Sequence, residues 1–501
     1  MSGHLFVAHG DLTRLACDAI VVPCDGAGNV SDSWAALLPP DLPRGDGPGW
    51  LRVGSPDAAG AVDLGTHAGR RVVALDTVSG APSPADLAAR TWAAVDRLGP
   101  GLTARDGRRQ PLVALPLVGT GDGGLAGRRG EVVAALLERR RERTPSVDVA
   151  LVLRDRRDVA AVQARRVDAD WDCLPPHLRG EADRLGRLAG EGRLSLFLGA
   201  GVSMPVGLPD WWSLLGSIAA EEPVVDLAGV DDPLDAASRL VRSRGAEPFL
   251  DAVVARVSTD RHGIGHALLA GLGVRQSVTT NFDACFETAL HGVRGDDVDV
   301  LTRSVADGSR PWLLKLHGDV AVPSSLVLTS EQYAVHAADH QALDGVVQAL
   351  LLTSHLLFVG FSLTDANFLR LARQVDVVRA ESAGARTTPS GTALALTTRD
   401  VTAAGYQGLT MLPMSPGLDR PAAGRVLEIF LDRLAWTAAR AHDLSSEYLL
   451  DERYASGLSA ADRVLKQHLL ALAARPGVTD SEAWPEVRRL LHRLGGGADE
   501  R

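Results

Sequence analysis

The chain has 501 residues and a formal net charge of −10, with 46% hydrophobic and 23% charged residues. This composition is ordinary for a globular protein, and the length predicts two to four domains. The acidic balance argues against a general affinity for nucleic acid, which requires a clustered basic surface, so we expect no direct nucleic-acid binding.

The cysteines and the N-terminal residues bear on redox chemistry and location. Cys17, Cys24, Cys173 and Cys285 form no C-x-x-C pair, which argues against a zinc ribbon and against a disulfide framework. The opening MSGHLFVAHGD lacks the basic and apolar regions of a signal peptide, and no run of about 18 apolar residues occurs. We therefore expect a cytoplasmic protein that does not enter a membrane.

Residues 1–166 alternate strand-like and helix-like segments. Short β-branched runs bounded by turn residues predict strands at 17–23, 70–77, 110–118 and 147–155. Apolar residues at helical spacing predict helices at 83–98 and 127–143, and the segment 36–60, rich in Pro, Gly and Asp, predicts a long loop. The alternation predicts an α/β domain.

A second α/β region follows a connector at 167–190 that becomes helical. Nearly continuous apolar runs, typical of buried parallel strands, lie at 193–199, 276–281, 311–318, 355–362 and 392–398. From about residue 420 the pattern is helical. An apolar stripe at 461–474 favours packing within its own domain, with an oligomer or partner interface as the alternative. We predict domains at 1–166 and 191–437, joined by 167–190 and followed by C-terminal helices at 438–501.

Four strands of the second region end in glycine or polar residues, and ligands bind at the carboxyl ends of such strands. Taken alone, each of these endings is explained by a purely structural role. Gly-Ala-Gly ends many strands, a histidine at a strand end is more often structural, and Asn and Asp commonly form turns. Together, in one parallel sheet, they predict a ligand site. These strand ends supply Gly199, Ala200, Gly201 and Ser203; Thr280, Asn281 and Asp283; His317 and Gly318; and Gly360, Ser362 and Asp365.

The ordered motifs GAGVS…GLPD, TTNFD, KLHGD and VGFS resemble those of the sirtuin-like family over about residues 180–437. The resemblance implies a Rossmann-type parallel sheet with helical insertions. It also implies that Asn281 and Asp283 lie at the nicotinamide ribose of NAD+ and that His317 is the catalytic base. The remaining motif positions are implied to bind NAD+: Gly199, Ala200, Gly201, Ser203, Asp210, Thr280, Gly360 and Ser362.

Two differences from the protein-deacylating members of the family indicate a resemblance to a different subgroup. Residues 318–359 contain no cysteine for a zinc ribbon, and Trp211-Trp212 stands where deacylases have Phe-Arg. The pattern is similar to that of bacterial anti-phage effectors that hydrolyse NAD+, which implies NAD+ as the substrate and no zinc. We hypothesise that Asn281 holds the ribose hydroxyls or the attacking water and that His317 is a general base. Asp283 would orient Asn281 or the ribose, or stabilise positive charge.

The segments HGDLTRLACDAIVVPCDGAG (9–28) and ALPLVGTGDGGLAGRRGEVVAALLE (114–138) resemble the macro domain, a three-layer fold that binds ADP-ribose and related nucleotides. The resemblance covers about residues 4–166 and implies an adenine contact by Asp18. The family's Asn-Ala-Ala-Asn is Val22-Pro23-Cys24-Asp25 here, which favours a nucleotide sensor over a hydrolase, with a degenerate structural domain as the alternative. The implied phosphate loop is Gly119, Thr120, Gly121, Asp122 and Gly123.

The sequence thus predicts an NAD+ hydrolase of anti-phage defence, regulated by an ADP-ribose-type nucleotide at the macro-like domain. By similarity to Thoeris-type effectors we expect a homo-oligomer, and a defence-system protein is a possible partner. Two alternatives stay open. One is an NAD-dependent ADP-ribosyltransferase or deacylase, and the other is a non-enzymatic NAD or ADP-ribose sensor acting through a partner.

Overall fold

The computed structural model describes residues 2–121, 123–222, 225–302, 306, 308–339, 341–381, 390–403, 408–417, 419–442 and 445–496. The chain divides into two compact units. The first combines Met1–Ala104, Gln110–Arg179 and Asp432–Arg501, and the second combines Arg105–Arg109 and Gly180–Leu431. Among the described residues, none of the helices combines the length and apolar character needed to cross a membrane.

The first unit is built on a six-stranded sheet with the order β1-β8-β7-β2-β6-β5, in which only the β5–β6 pair is antiparallel. β3 and β4 form a separate antiparallel pair. The strands are β1 (Leu5–His9), β2 (Ala19–Cys24), β3 (Asn29–Ser31), β4 (Trp50–Arg52), β5 (Ala61–His67), β6 (Arg70–Asp76), β7 (Leu112–Leu115) and β8 (Asp148–Leu153). The helices are α1 (Pro84–Leu98), α2 (Arg129–Arg141), α3 (Arg156–Arg165) and α4 (Pro176–Gly190), the last of which crosses into the second unit.

The predicted strands and helices of this region are confirmed by β2, β6, β7, β8, α1 and α2. The start of α1 shows the local cause: Pro84 occupies its first turn, and Ser83 and Asp86 form a reciprocal capping box. The segment 36–60 is largely irregular, as predicted, but contains the three-residue strand β4. A three-residue strand is too short to show a period of two in the sequence.

The second unit contains a fully parallel sheet of seven strands with the order β11-β12-β10-β9-β13-β14-β15. Its strands are β9 (Leu194–Leu198), β10 (Gln276–Thr279), β11 (Asp299–Val300), β12 (Trp312–Lys315), β13 (His355–Val359), β14 (Gly391–Thr397) and β15 (Thr410–Ser415). Its helices are α5 (Trp211–Ala219), α6 (Pro233–Arg244), α7 (Ala246–Val257), α8 (Ile264–Ala270), α9 (Cys285–Arg294), α10 (Ser330–Asp339), α11 (Gln341–Thr353), α12 (Ala366–Glu381), α13 (Thr398–Ala403) and α14 (Arg420–Ala441).

The predicted α/β class and all five predicted strands of this region are confirmed. β15, which the sequence pattern did not predict, contains Pro413 and lies at the edge of the sheet, where the missing N–H of proline is tolerated. β9 lies in the middle of the order, with β10 and β12 on one side and β13 on the other. Such a reversal of strand order opens a crevice at the carboxyl ends of the central strands.

The C-terminal part of α14 belongs to the first unit. There, the buried Asp432 carboxylate accepts hydrogen bonds from His4 Nε2 at 2.8 Å, Trp171 Nε1 at 2.9 Å and the Arg166 guanidinium at 2.6 and 2.9 Å. Burial alone would raise the pKa of Asp432, but Arg166 and His4 outweigh it and hold that pKa well below its ordinary value. The chain then ends in α15 (Ala460–Ala473) and α16 (Trp484–Arg493).

Candidate active site

The glycines after β9 meet the end of β13 backbone to backbone. Gly199 N–H donates to Val359 O at 3.0 Å, and Gly201 N–H donates to Gly360 O at 2.9 Å. A Cβ on Gly199 or Gly201 would lie 2.6 or 2.8 Å from atoms of Gly360, and Gly360 itself has a φ of +66°. A side chain at any of these positions would separate the two loops. The Gly-Ala-Gly sequence is therefore required for the close approach of two strand ends at the crevice.

Asn281, two residues beyond the end of β10, is held in one orientation by two hydrogen bonds. Its Nδ2 donates to Gly199 O and to Ser203 Oγ, both at 3.2 Å. Because a carbonyl oxygen can only accept, the Gly199 contact decides which end of the amide carries the hydrogens. Both amide hydrogens are thus committed to the glycine loop, and the side-chain oxygen of Asn281 remains as an acceptor.

Ser203 receives a second hydrogen bond from a buried histidine. His266 Nδ1 accepts from Gly263 N–H at 3.1 Å, and Nε2 lies 3.3 Å from Ser203 Oγ. Burial lowers the pKa of His266 to about 4, so the ring is neutral and carries its one proton on Nε2. His266 therefore supports Ser203, and Ser203 supports Asn281.

His266, Asp283 and Cys285 bring three potential metal-ligating atoms within 4.8 Å of one another. Their hydrogen bonds describe a different arrangement. Nε2 of His266 carries a proton, burial raises the pKa of the Cys285 thiol, and Asp283 Oδ1 accepts from Cys285 N–H at 2.9 Å. A metal ion would need an unprotonated imidazole nitrogen, a thiolate and a carboxylate here, so its binding would have to displace the protons of His266 Nε2 and of the Cys285 thiol. The cluster as bonded is a buried hydrogen-bond network that shapes the loop after β10.

That loop is also held from β12. The fully buried Lys315 donates from Nζ to Phe282 O at 3.0 Å, Asp283 O at 2.7 Å and Glu287 Oε1 at 2.6 Å. Asp319 Oδ1 lies 3.3 Å from the same nitrogen. Phe282 and Asp283 immediately follow Asn281, so Lys315 fixes the backbone that presents the candidate catalytic amide.

His317 follows β12, the strand next to β10. Its Nε2 lies 2.8 Å from the Tyr333 hydroxyl, which donates to Asp365 Oδ2 at 2.9 Å. Burial lowers the pKa of His317, and the carboxylates of Asp365 and Asp344 oppose that shift. The imidazole is accordingly neutral at pH 7, the form in which it can accept a proton.

The structure brings most of the predicted residues to the carboxyl ends of four neighbouring strands. Gly199, Gly201, Ser203, Asn281 and Gly360 form one connected group through the hydrogen bonds above. Asp283 joins this group through the buried cluster, and His317 lies at the end of the adjacent strand.

The other predicted residues serve local roles in the structure. Asp210 caps α5 by accepting from Ser213 N–H, and Thr280 N–H donates to Leu198 O of β9. Ala200 and Ser362 are exposed, and Ser362 Oγ lies 2.7 Å from Thr364 Oγ1. Their part in NAD+ binding stays a prediction.

A shallow surface depression of about 680 Å³, widely open to solvent, lies beside these loops. It is lined by Val206 from the loop after β9, by Val320 and Ala321 from the loop after β12, and by residues 258–261. Two loops that carry candidate active-site residues thus also border this depression.

Comparison with known proteins bears on this unit. Residues 275–403, from β10 to α13, match the family described as the SIR2-like domain. The match confirms the predicted sirtuin-like character of these residues, which include Asn281, Asp283, His317 and Gly360.

Curated relatives give the same indication. The chain is 29% identical over 195 residues to the NAD(+) hydrolase ThsA of Acinetobacter baumannii (strain 532279) and 32% identical over 190 residues to that of Bacillus cereus (strain MSX-D12). These alignments cover 37% and 35% of this chain, and 39% and 38% of the relatives. A third match, 26% identical over 203 residues, is to Defense-associated sirtuin 2 of Bacillus subtilis, with 38% of this chain and 20% of that protein covered. The chain therefore spans about two-fifths of the length of the ThsA relatives.

In the first unit, the predicted nucleotide-binding residues do not all lie together. β2 and β7 are parallel neighbours. Asp25, the residue after β2, and the loop from Gly119 after β7 therefore lie at the same carboxyl edge of the sheet. Asp18 precedes β2 and accepts from Leu112 N–H at 2.8 Å, at the amino edge. Asp18 and the loop from Gly119 therefore lie at opposite edges of the sheet, and the adenine contact of Asp18 stays a prediction.

The predicted phosphate loop is shaped by close packing. A Cβ on Gly119, which has a φ of +73°, would lie 2.3 Å from Leu87, and one on Gly123 would lie 2.7 Å from Gly119. Gly121 has open space around it, and Thr120 Oγ1 donates to Leu117 O at 2.8 Å. Asp122 lies outside the described residues.

Asp25 closes the turn after β2. Its carboxylate accepts from Ala27 N–H, Asn29 N–H and Asn29 Nδ2 at 2.8 to 2.9 Å. These bonds give Asp25 a local structural role, and its contact with a nucleotide stays a prediction.

Sequence reasoning missed Tyr333, His266 and Lys315. Tyr333 and His266 are on helices remote in sequence from the motifs they contact, and nothing in their local pattern marks them. Lys315 carried a usable signal, since a lysine within the apolar run WLLKLHG must find partners when the strand is buried.

Proposed function

We propose that the chain hydrolyses NAD+ to nicotinamide and ADP-ribose as an effector of anti-phage defence, acting in the cytoplasm. The observation that carries the proposal is the meeting of the glycine loop, Asn281 and the neutral His317 at the carboxyl ends of adjacent parallel strands in a SIR2-like domain. The relatives named NAD(+) hydrolase ThsA support the same reaction.

The chemistry assigns each group a separate task. Nicotinamide leaves as a neutral molecule while C1′ of the ribose becomes oxocarbenium-like, and water then adds to C1′. With both amide hydrogens committed, Asn281 would accept a hydrogen bond from a ribose hydroxyl or from the attacking water. His317 would take the proton released on attack. Asp283 would stabilise positive charge close to the reacting ribose.

The test is release of nicotinamide and ADP-ribose from NAD+, followed by chromatography. We expect His317→Ala and Asn281→Ala to retain NAD+ binding and to lose on the order of 10²–10⁴-fold in turnover. His291→Ala is the matched control, because His291 is an exposed histidine of the same unit bonded to Gly295 O.

Near wild-type hydrolysis by His317→Ala would overturn the assignment. Nicotinamide release with ADP-ribose attached to protein would instead identify a transferase, and consumption of an acetylated peptide would identify a deacylase. Binding of NAD+ without turnover in any condition would favour the sensor.

We further propose that the macro-like domain at 1–166 binds an ADP-ribose-type nucleotide that activates a homo-oligomer, alone or with a defence-system partner. The phosphate-loop glycines and Asp25, which share one edge of the sheet, support this proposal. A switch from 1% to 99% active requires about 5.5 kcal/mol of differential binding. Addition of ADP-ribose and cyclic nucleotides to the hydrolysis assay, with light scattering for oligomer size, tests it.

A further inference from the structure

Tyr333 connects the candidate base to a carboxylate. It lies on α10, in the segment between β12 and β13, and its ring centroid is 5.1 Å from that of His317. The hydroxyl is 2.8 Å from His317 Nε2, 3.3 Å from His317 Nδ1 and 2.9 Å from Asp365 Oδ2. The direct distance from His317 Nε2 to Asp365 Oδ2 is 3.6 Å, so the hydroxyl is the better partner of both.

Asp365 is itself fixed by the start of α12. Its Oδ1 accepts from Phe368 N–H at 2.8 Å, which is the hydrogen bond of a helix N-cap. Only Oδ2 therefore faces Tyr333, and its position is set by the helix.

The direction of each hydrogen bond follows from the number of protons. A carboxylate only accepts, and a phenol has one proton, so the Tyr333 hydroxyl donates to Asp365. Burial raises the pKa of Tyr333, which keeps that proton on the phenol. The hydroxyl oxygen must then accept from the nearer ring nitrogen, so His317 carries its proton on Nε2.

We propose that Tyr333 and Asp365 are positioning residues that hold the proton of His317 on Nε2 and leave Nδ1 as the nitrogen that accepts a proton during catalysis. This inference rests on the proposed function. A histidine free to exchange tautomers presents the basic nitrogen only part of the time, whereas the Asp365–Tyr333 pair presents it continuously.

Two carboxylates act electrostatically on His317, and the neutral Tyr333 contacts it directly. Asp365 precedes α12 and Asp344 lies on α11, and both carboxylates favour the protonated ring against the opposing effect of burial. Asp344 is paired with Arg370 at 2.5 Å, whereas Asp365 reaches the ring through Tyr333 on α10. Removal of the Asp365 charge should therefore make His317 harder to protonate.

The experiment compares Tyr333→Phe and Asp365→Asn with wild type in two measurements. The first is the ¹⁵N chemical shifts of His317 in the full chain labelled at histidine, assigned with His317→Ala. The second is the pH profile of nicotinamide release. Tyr333→Phe removes only the hydroxyl, and Asp365→Asn preserves the N-cap because asparagine is an equally good capping residue.

We expect wild type to show the Nε2–H tautomer and Tyr333→Phe to show a mixture. Its kcat should fall about 10-fold with KM unchanged, as for the loss of one hydrogen bond. In Asp365→Asn, the acidic limb of the kcat/KM profile should move about one pH unit lower. The double variant should lose no more than the worse single variant, because both residues act through His317. Tyr448→Phe, a tyrosine of the other unit, is the control.

An unchanged tautomer and pH profile in Tyr333→Phe and Asp365→Asn would overturn the proposal, even if the rates fell, since packing alone would explain such a loss. The tautomer measurement needs no turnover. If wild type releases no nicotinamide while the ¹⁵N shifts change as expected, the proposed function fails and the positioning by Tyr333 and Asp365 stands.

Discussion

Replacement of Lys315 by methionine tests how the loop of Asn281 is held. Methionine retains most of the volume of the side chain, so the change removes the charge and three hydrogen-bond donors with little cavity. Lys315 Nζ is bonded to Glu287 and to the carbonyls of Phe282 and Asp283. The variant leaves these acceptors buried without their cation.

The expected size follows from that environment. Glu287 and Asp319 are 5% and 0% exposed, so water cannot replace the lysine. Removal of one partner from a buried ion pair destabilises a protein by about 3–5 kcal/mol. We expect this loss in the free energy of unfolding of the second unit, together with a fall in nicotinamide release because Asn281 is no longer held.

The pH dependence has a definite sign. Burial raises the pKa of Glu287 above its ordinary 4.5, and Lys315 opposes that rise. Without Lys315 the pKa of Glu287 in the folded protein rises further. The protonated Glu287 then contributes its full stabilisation below pH 4.5, and this contribution is lost as pH rises through the higher folded pKa. The difference between wild type and Lys315→Met should therefore shrink as the solution is made more acidic.

Urea unfolding at several pH values measures this difference, and Glu287→Gln in the Lys315→Met background should recover part of the loss at pH 7. A destabilisation below about 1 kcal/mol, or one that grows as pH falls, would refute the reasoning, because an exposed pair contributes only that much.

Other predictions concern three further contacts. Asp432→Asn should destabilise the first unit by about 3–5 kcal/mol, because Arg166 loses its buried partner. Since the folded pKa of Asp432 is lowered, the wild-type advantage should be present above pH 3.8 and be lost as pH falls below it, as unfolding curves would show. Gly360→Ala places a Cβ 2.4 Å from Val202 N at a φ of +66°, so NAD+ binding measured by calorimetry should weaken while Gly424→Ala, which has open space, should not change it. Ser203→Ala removes the acceptor of Asn281 Nδ2 and should lower kcat about 10-fold, whereas a wild-type rate would show that the Gly199 contact suffices to orient the amide.

Local sequence determined the strands and their polar ends. Continuous apolar runs such as 193–199 and 355–362 identify buried parallel strands, and carboxyl ends of parallel strands meet at one edge whatever their order. Asn281, Asp283 and His317 were therefore identifiable as neighbours, and the glycines as turn formers, before any contact was known. The two-residue edge strand β11 is too short to leave such a pattern, and in the six-residue edge strand β15 Thr410, Pro413 and Ser415 interrupt the apolar run.

Only the tertiary structure decided which groups hold those residues in place. Tyr333, Asp365, His266 and Lys315 act on candidate residues across gaps that the chain crosses through other helices and strands. Their orientation depends on where whole elements pack, and local periodicity does not encode it. The arrangement of the strands also decides that Asp18 and the loop of Gly119 lie apart. Residues at opposite ends of adjacent parallel strands lie at opposite edges of the sheet.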